Sequence, residues 1–386
     1  MPKNKLLITG NGFDLALGYR TKYEHFLTYL LYAKDHNLNK LRLYTIKEWG
    51  VSDFKEEDLS NFKKLLSDVM DTNFIISYFI NYHEKTLTWA DFETELLHLG
   101  CCLESIILSL ENEQTDAYLY YDIKLPYTQD LKYYGEYLSF IKDNYYFKID
   151  IDSPIRRDNS YFIRLKINDV DEISDCKTVQ SKIIKFKELL PKYYYEDILV
   201  LSKLFELYLD IESKRMIENI KPKFNISKVI TYNFTNFSNY FCNTLYHING
   251  ELSIYEGKEN GIIFGIDTNN TFRTTIFNGA TKQVQRAANG IKINRFLNSL
   301  GSLDSLYIFG YSLTVADKDS MKLIFDLVKK NKDCKIIIFY KAKGNKNDDL
   351  LTKIYLANNL KTILEDDFNV LIEHVDFQDS SLFFKE

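Results

Sequence analysis

Near its start the chain carries a short apolar run, Lys5-Leu6-Leu7-Ile8-Thr9, which stops abruptly at Gly10-Asn11-Gly12-Phe13-Asp14. A run this short, ended by glycine, predicts a buried strand of an α/β sheet and leaves little room for a long helix. The segment from Asp14 to Gly18 reads as a first helical turn with an acidic start. Tyr23, Phe26, Leu27, Leu30 and Leu31 then fall at helical spacing. In such a strand–loop–helix unit, glycines let the backbone approach a phosphate while amides at the helix start point toward it. Gly10, Asn11, Gly12, Phe13 and Asp14 are therefore candidate nucleotide contacts. The signal is short, since Leu15 fills the third position of a GxGxxG pattern, and a tight turn that needs glycine is the competing reading.

After Pro222 the same alternation returns. Strands are predicted over Lys228–Asn233, Gly261–Gly265, Ser305–Gly310 and Lys335–Tyr340, with a last edge at Val370–Ile372 and a helix from Asp319 to Lys329. Between residues 50 and 220 the pattern is mostly helical. Leu59, Phe62, Leu65, Leu66 and Val69 mark one helix, and Phe92, Leu96, Leu97, Leu103, Ile106 and Ile107 another, bent near Gly100. Two more are predicted from Phe186, Leu189 and Leu190, and from Ile198, Leu201, Leu204, Phe205 and Leu209. Residues 145–152 and 161–167 alternate apolar and polar about Ser153-Pro154 and Asn159, as in a β-hairpin. Strands alternating with helices imply a largely parallel sheet covered on both faces. The fold class is thus α/β: a Rossmann-like core from residues 1–45 and 222–386, interrupted by a mainly helical insertion over 46–221.

Composition narrows the classes of function. The 386 residues carry 49 basic and 54 acidic side chains, a formal charge of 49 − 54 = −5, with 45% hydrophobic residues. That composition excludes disorder for most of the chain and supplies no basic footprint for wrapping nucleic acid. The five cysteines are odd in number, two are adjacent, and none forms a CxxC pair. Reduced thiols and a cytoplasmic location are expected. Six histidines without an HExxH motif or a Cys/His grouping lead us to expect no metal. No stretch approaches the roughly 18 apolar residues of a membrane span, and the first apolar run is too short for a signal peptide.

Three further segments carry candidate residues, two of them at predicted strand ends and one in a loop-like stretch between. Asn233, in Tyr232-Asn233-Phe234-Thr235-Asn236, can reach a ligand with an amide that both donates and accepts, while Thr235 or Asn236 serves equally well as a helix cap. His247, in a loop-like His247-Ile248-Asn249-Gly250 context, has the ordinary pKa to take a proton at neutral pH, although a lone histidine is more often structural. Gly310 and Ser312, ahead of Asp317 and Asp319, offer a hydroxyl to a ribose or phosphate; either aspartate is more simply a helix cap. Neither a GxSxG elbow nor a GxxxxGK[ST] loop occurs. Ligands of such sheets bind at the carboxyl ends of the strands, where these segments converge.

Taken together, Leu6 to Ala16 with Gly18, Thr21, Tyr23 and Phe26, then Trp89-Ala90-Asp91-Phe92-Glu93, Tyr232-Asn233-Phe234-Thr235, His247-Ile248-Asn249-Gly250 and Phe309-Gly310-Tyr311-Ser312-Leu313 to Asp317, resemble the bacteriophage abortive-infection AbiH family. The resemblance runs from near residue 5 to beyond residue 320. It implies a role in bacterial defence, by arrest or death of the infected cell, and a distant relation to sirtuin-like NAD-binding proteins. By that relation the glycine loop corresponds to Gly10 and Gly12, the active-site Asn to Asn233, the catalytic His to His247, and the ribose loop to Gly310 and Ser312. Thr235 stands where sirtuins carry Asp, Ile248 and Asn249 intervene before the glycine that follows the His, and the zinc module is absent.

The leading expectation is an NAD-cleaving effector in which Gly10 and Gly12 hold the pyrophosphate and Ser312 the ribose, Asn233 positions water or the ribose hydroxyls, and His247 acts as base. One rival is a non-catalytic switch that binds NAD, ADP-ribose or a similar nucleotide and controls a partner. Another is a nuclease using Asp91, Glu93 and Glu95 to hold magnesium. Expected partners are a nucleotide ligand and a phage-derived trigger, with a homo-oligomer left open and no membrane association.

Overall fold

The computed structural model describes residues 4–35, 56–70, 72–81, 89–112, 120–125, 149–151, 155–157, 160–167, 179–214, 222–235, 242, 244–252, 261–266, 277–288, 293–313 and 317–384. The chain divides into two compact units. One comprises residues 1–22, 206–263 and 285–386; the other comprises 23–205 and 264–284.

The first unit is built on a six-stranded parallel sheet. Its strands are β1 (Lys5–Thr9), β6 (Lys228–Thr231), β7 (Leu245–His247), β8 (Ser305–Phe309), β9 (Lys335–Tyr340) and β10 (Val375–Asp379). The spatial order is β10-β9-β8-β1-β6-β7, every pairing parallel. Counted within this sheet, that is the 3-2-1-4-5-6 order of a Rossmann fold, whose switch point falls between β1 and β8.

Strand alternation sends neighbouring residues to opposite faces. Leu6, Ile8, Leu306 and Ile308 enter one apolar cluster with Met321, Ile324, Phe325, Leu356, Leu360 and Ile363. Leu7, Val229, Tyr307 and Phe309 enter another with Phe13, Leu17 and Phe383. Helix α1 (Asn11–Ala16) contributes to this second cluster. The first receives α8 (Ile293–Asn298), α9 (Lys318–Lys329) and α10 (Lys346–Leu364). A short α7 (Lys282–Ala288) precedes α8, and α11 (Phe368–Leu371) follows α10.

Two strand expectations are corrected. Residues 261–265 form no strand: Ile262 and Ile263 are buried, but Ile262 makes only an isolated antiparallel bridge to Gly250. Burial without a ladder partner produces the same apolar run as a strand. The last edge is β10, because residues 368–371 are helical.

The second unit is mainly helical, with α2 (Tyr23–Asp35), α3 (Glu56–Val69), α4 (Phe74–Asn81), α5 (Trp89–Asn112) and most of α6 (Val179–Ser213). Helix α2 belongs here, although residues up to 45 were expected in the core, because its aromatic side packs within this unit. Tyr23 lies 4.3 Å from Phe92, Phe26 lies 5.1 Å from Phe205 and Tyr29 lies 4.9 Å from Phe62, between ring centroids. Residues 264–284 join it through Phe264 against Phe92 and Tyr194 against Phe277. The two helices expected over 186–209 are one, running through Pro191. An interior proline costs roughly 3 kcal/mol. The cost is offset by one continuous buried stripe that includes Phe186, Leu190, Tyr194, Ile198, Leu201 and Phe205.

The expected hairpin is present as β3 (Ile149–Ile151) antiparallel to β5 (Ser160–Ile167). β2 (Tyr120–Leu125) and β4 (Ile155–Arg157) also pair with β5. Among the described residues no helix is long and apolar enough to cross a membrane.

Candidate functional site

The glycine loop and the β8 exit are pressed together at the switch point. Gly10 N donates to Phe309 O at 3.1 Å, Gly12 N to Gly310 O at 2.8 Å, and Phe13 N to Gly10 O at 2.8 Å. A Cβ on Gly12 would fall 2.7 Å from Gly310 Cα, and one on Gly310, whose φ is +63°, 2.1 Å from Phe13 N. Glycine is required here so that two strand exits can touch. The amides of Gly10 and Gly12 are therefore occupied within the protein. Asn11 remains partly exposed, its Oδ1 accepting from the Thr21 hydroxyl. Phe13 is a core residue, 5.6 Å from Phe309 between ring centroids.

Asp14 is 2% exposed and carries the next layer of the site. Its Oδ1 accepts from Asn233 Nδ2 at 2.8 Å and its Oδ2 from Thr235 Oγ1 at 2.6 Å. Burial pushes its carboxyl up to about 7, against the lowering effect of these two bonds. Asn233 Nδ2 also donates to Gly10 O at 2.9 Å, so both amide protons are spent, while Oδ1 accepts no hydrogen bond among the described residues. Thr235 is thus a partner of Asp14, with its hydroxyl proton committed.

His247 ends strand β7; the loop-like context expected for it is corrected by that pairing. Its Nδ1 lies 3.0 Å from Asn233 O, an atom that only accepts, so the proton sits on Nδ1 and Nε2 holds a lone pair. Nε2 is buried without a hydrogen-bond partner, and Glu251 Oε2 stands 3.8 Å away. Burial lowers the His247 pKa from its ordinary value, opposed by the Asn233 carbonyl and Glu251. The imidazole is therefore neutral at pH 7, its lone-pair nitrogen enclosed by protein and unpaired.

A further network lies on the Tyr232 side of the sheet. Tyr232 and Tyr311 stack with ring centroids 4.3 Å apart. Tyr311 OH donates to Asp317 Oδ2 at 2.7 Å, and Tyr232 OH lies 2.7 Å from Ser320 Oγ. Arg286, on α7, donates from Nη2 to Asp317 Oδ1 at 3.1 Å and from Nη2 and Nε to Asn249 Oδ1 at 2.6 and 3.2 Å. Asn249 Nδ2 donates to Tyr232 O at 3.0 Å. Asp317 occupies the N-cap position of α9 yet makes no side-chain cap bond, which corrects the expectation of an ordinary cap. Arg286 escaped the sequence reading, since a lone arginine carries no local signal. Ser312 is exposed and its carbonyl accepts from Asn359 Nδ2, so its hydroxyl is not drawn into the Asp14 or Asp317 networks.

Residues 6–340 match the family model of bacteriophage abortive infection AbiH. The chain belongs to the AbiH family. Membership places it among proteins of anti-phage abortive infection. No curated protein and no solved structure matches the chain.

Of the acids in and beside the Trp89–Glu93 segment, Glu93 and Glu95 have protein partners. Glu93 is ion-paired with Lys282, and Glu95 is buried and accepts from Tyr78 OH. The Asp91 side chain lies outside the described residues. Among the described residues no group of three or more His, Cys, Asp and Glu is placed to hold a metal.

Proposed function

We propose that the chain is an abortive-infection effector that binds NAD and hydrolyses the bond between nicotinamide and ribose. The observation that carries this reading is His247: its tautomer is pinned by the Asn233 carbonyl, and Nε2 is left as an unpartnered base beside the strand end that bears Asn233. Nicotinamide leaves as a neutral ring from a cationic ribosyl nitrogen, so no strong acid is needed. Water adds to the anomeric carbon as that bond breaks, and its proton passes to Nε2. The products are nicotinamide, ADP-ribose and a proton.

Asn233 Oδ1 is the acceptor for the water or a ribose hydroxyl, and Glu251 at 3.8 Å steadies the imidazolium once it forms. Asp14 and Thr235 act behind Asn233, holding its amide. Gly10, Gly12 and Gly310 let the exits of β1 and β8 meet, with Asn11 partly exposed and Ser312 exposed beside that junction. Removing a general base typically costs about 10²–10⁴-fold in rate.

A non-catalytic switch for NAD or ADP-ribose is the second reading. It is favoured by the commitment of both Asn233 amide protons to Gly10 and Asp14, since a ligand drawn to Oδ1 would strain that joint. Cellular NAD measured during phage infection separates the two. The enzyme reading predicts that NAD falls with the wild-type chain and holds with His247→Asn. The switch reading predicts growth arrest with NAD unchanged in both.

A further inference from the structure

We propose that Arg286 is the anion-binding residue of this site and takes a phosphoryl oxygen of the ligand through Nη1. The inference rests on the nucleotide reading above, because a dinucleotide brings a pyrophosphate that needs donors. The glycine loop cannot supply them from Gly10, Gly12 or Phe13, whose amides donate to Phe309, Gly310 and Gly10 carbonyls.

Arg286 is built for the task. Its Nε and Nη2 are fixed by Asn249 Oδ1 and Asp317 Oδ1, which hold the guanidinium plane in one orientation. Nη1 has no hydrogen-bond partner among the described residues, and it is not among the polar atoms sealed from solvent. Two N–H donors of a half-buried, immobilised cation are thus presented outward. The side chain is 18% exposed and that of Asp317 11%. A rigid planar fork with an unused edge suits phosphate better than a flexible ammonium does.

Its position fits as well. Asn249 joins Arg286 to Tyr232 O, the carbonyl next to Asn233, and Asn249 stands two residues after His247. Asp317 shares its charge between Arg286 and the Tyr311 hydroxyl, so it orients the guanidinium without enclosing it. An arginine serving only to anchor α7 to the sheet would show no selectivity for phosphorylated ligands.

The test is calorimetric titration of the full chain with ADP-ribose, inorganic pyrophosphate and nicotinamide riboside. Arg286→Lys is compared with wild type after matching thermal midpoints, and Asp317→Asn serves as a second variant. Arg286→Lys is expected to weaken ADP-ribose and pyrophosphate about 10–100-fold, the size of a charge-assisted hydrogen bond, and to leave nicotinamide riboside within twofold. Asp317→Asn, which removes a competing negative charge, is expected to hold or tighten pyrophosphate. Equal ADP-ribose affinities in wild type and folded Arg286→Lys overturn the inference. Arg286-dependent pyrophosphate binding without ADP-ribose binding keeps the anion site and overturns the nucleotide reading. Binding of neither phosphorylated ligand to wild type overturns both.

Discussion

Asp14 and Asn233 lie 219 residues apart in sequence, and a 2.8 Å hydrogen bond from the Asn233 amide to the Asp14 carboxylate ties the exit of β1 to the exit of β6. With Thr235 on the other carboxylate oxygen, this joint fixes the segment whose carbonyl sets the tautomer of His247. Removing Asn233 therefore does more than remove an amide from the site. Asn233→Ala leaves Asp14 Oδ1 without its donor and Gly10 O with Phe13 N alone, and is expected to cost about 1–3 kcal/mol of stability, read from urea unfolding. His247→Asn is the cleaner probe of chemistry, because its amide keeps a donor for the Asn233 carbonyl while deleting Nε2.

Asp14 also predicts a pH dependence. Burial raises its carboxyl from an ordinary 3.8 to about 7, so the folded chain holds a proton that the unfolded chain releases. The contribution of this group is complete below about pH 4 and is lost as pH rises through about 7. Between pH 5 and 8 it amounts to about 2–3 kcal/mol. Asp14→Asn, which keeps an acceptor for Asn233 and removes the ionisation, should flatten the curve over that window. A wild-type slope retained by the variant assigns the pH dependence to other groups.

Glycine geometry gives a sharp contrast. Gly310→Ala places a methyl 2.1 Å from Phe13 N and 2.3 Å from Gly12 C, backbone atoms that no rotamer change can move. The loss should exceed about 3 kcal/mol, enough to abolish folding of a marginal unit. Gly301 has a similar φ of +67° but nothing within 4 Å of its Cβ. Gly301→Ala should cost only about 1–2 kcal/mol. Comparable thermal midpoints for the two variants would contradict the close approach of the β1 and β8 exits.

The parts of this arrangement that could be read from sequence share a physical cause. β1, β8 and β9 are buried within the sheet, so each appears as a short apolar run with defined ends. β7 has three residues, all half-buried, and β10 is an edge strand with mixed burial, so neither stands out. Ile262 and Ile263 misled in the opposite direction, being buried without a ladder. Asn233 stood out as a candidate because it follows the apolar run of β6, and His247 because of its neighbouring Asn249-Gly250 turn, not because β7 was visible. The roles of Asp14 and Arg286 were not legible, because each depends on partners brought together only by the fold: Asn233 and Thr235 for one, Asn249 and Asp317 for the other.

Glu251 supplies a kinetic test of His247. Its carboxylate, 3.8 Å from Nε2, raises the imidazole pKa against the dominant lowering by burial. The acid limb of the pH–rate profile should therefore lie below 6.5, and Glu251→Gln should move it lower still. A limb that moves upward in Glu251→Gln would contradict the assignment of His247 as the titrating base.

The most direct measurement is nicotinamide release from NAD by the purified chain, with and without extract from phage-infected cells, followed by chromatography beside His247→Asn. The account predicts nicotinamide and ADP-ribose in equal amounts from wild type, and release slowed about 10²–10⁴-fold in a variant that is equally folded. Equal release by both proteins, or none from wild type under either condition, would contradict hydrolysis of NAD at His247.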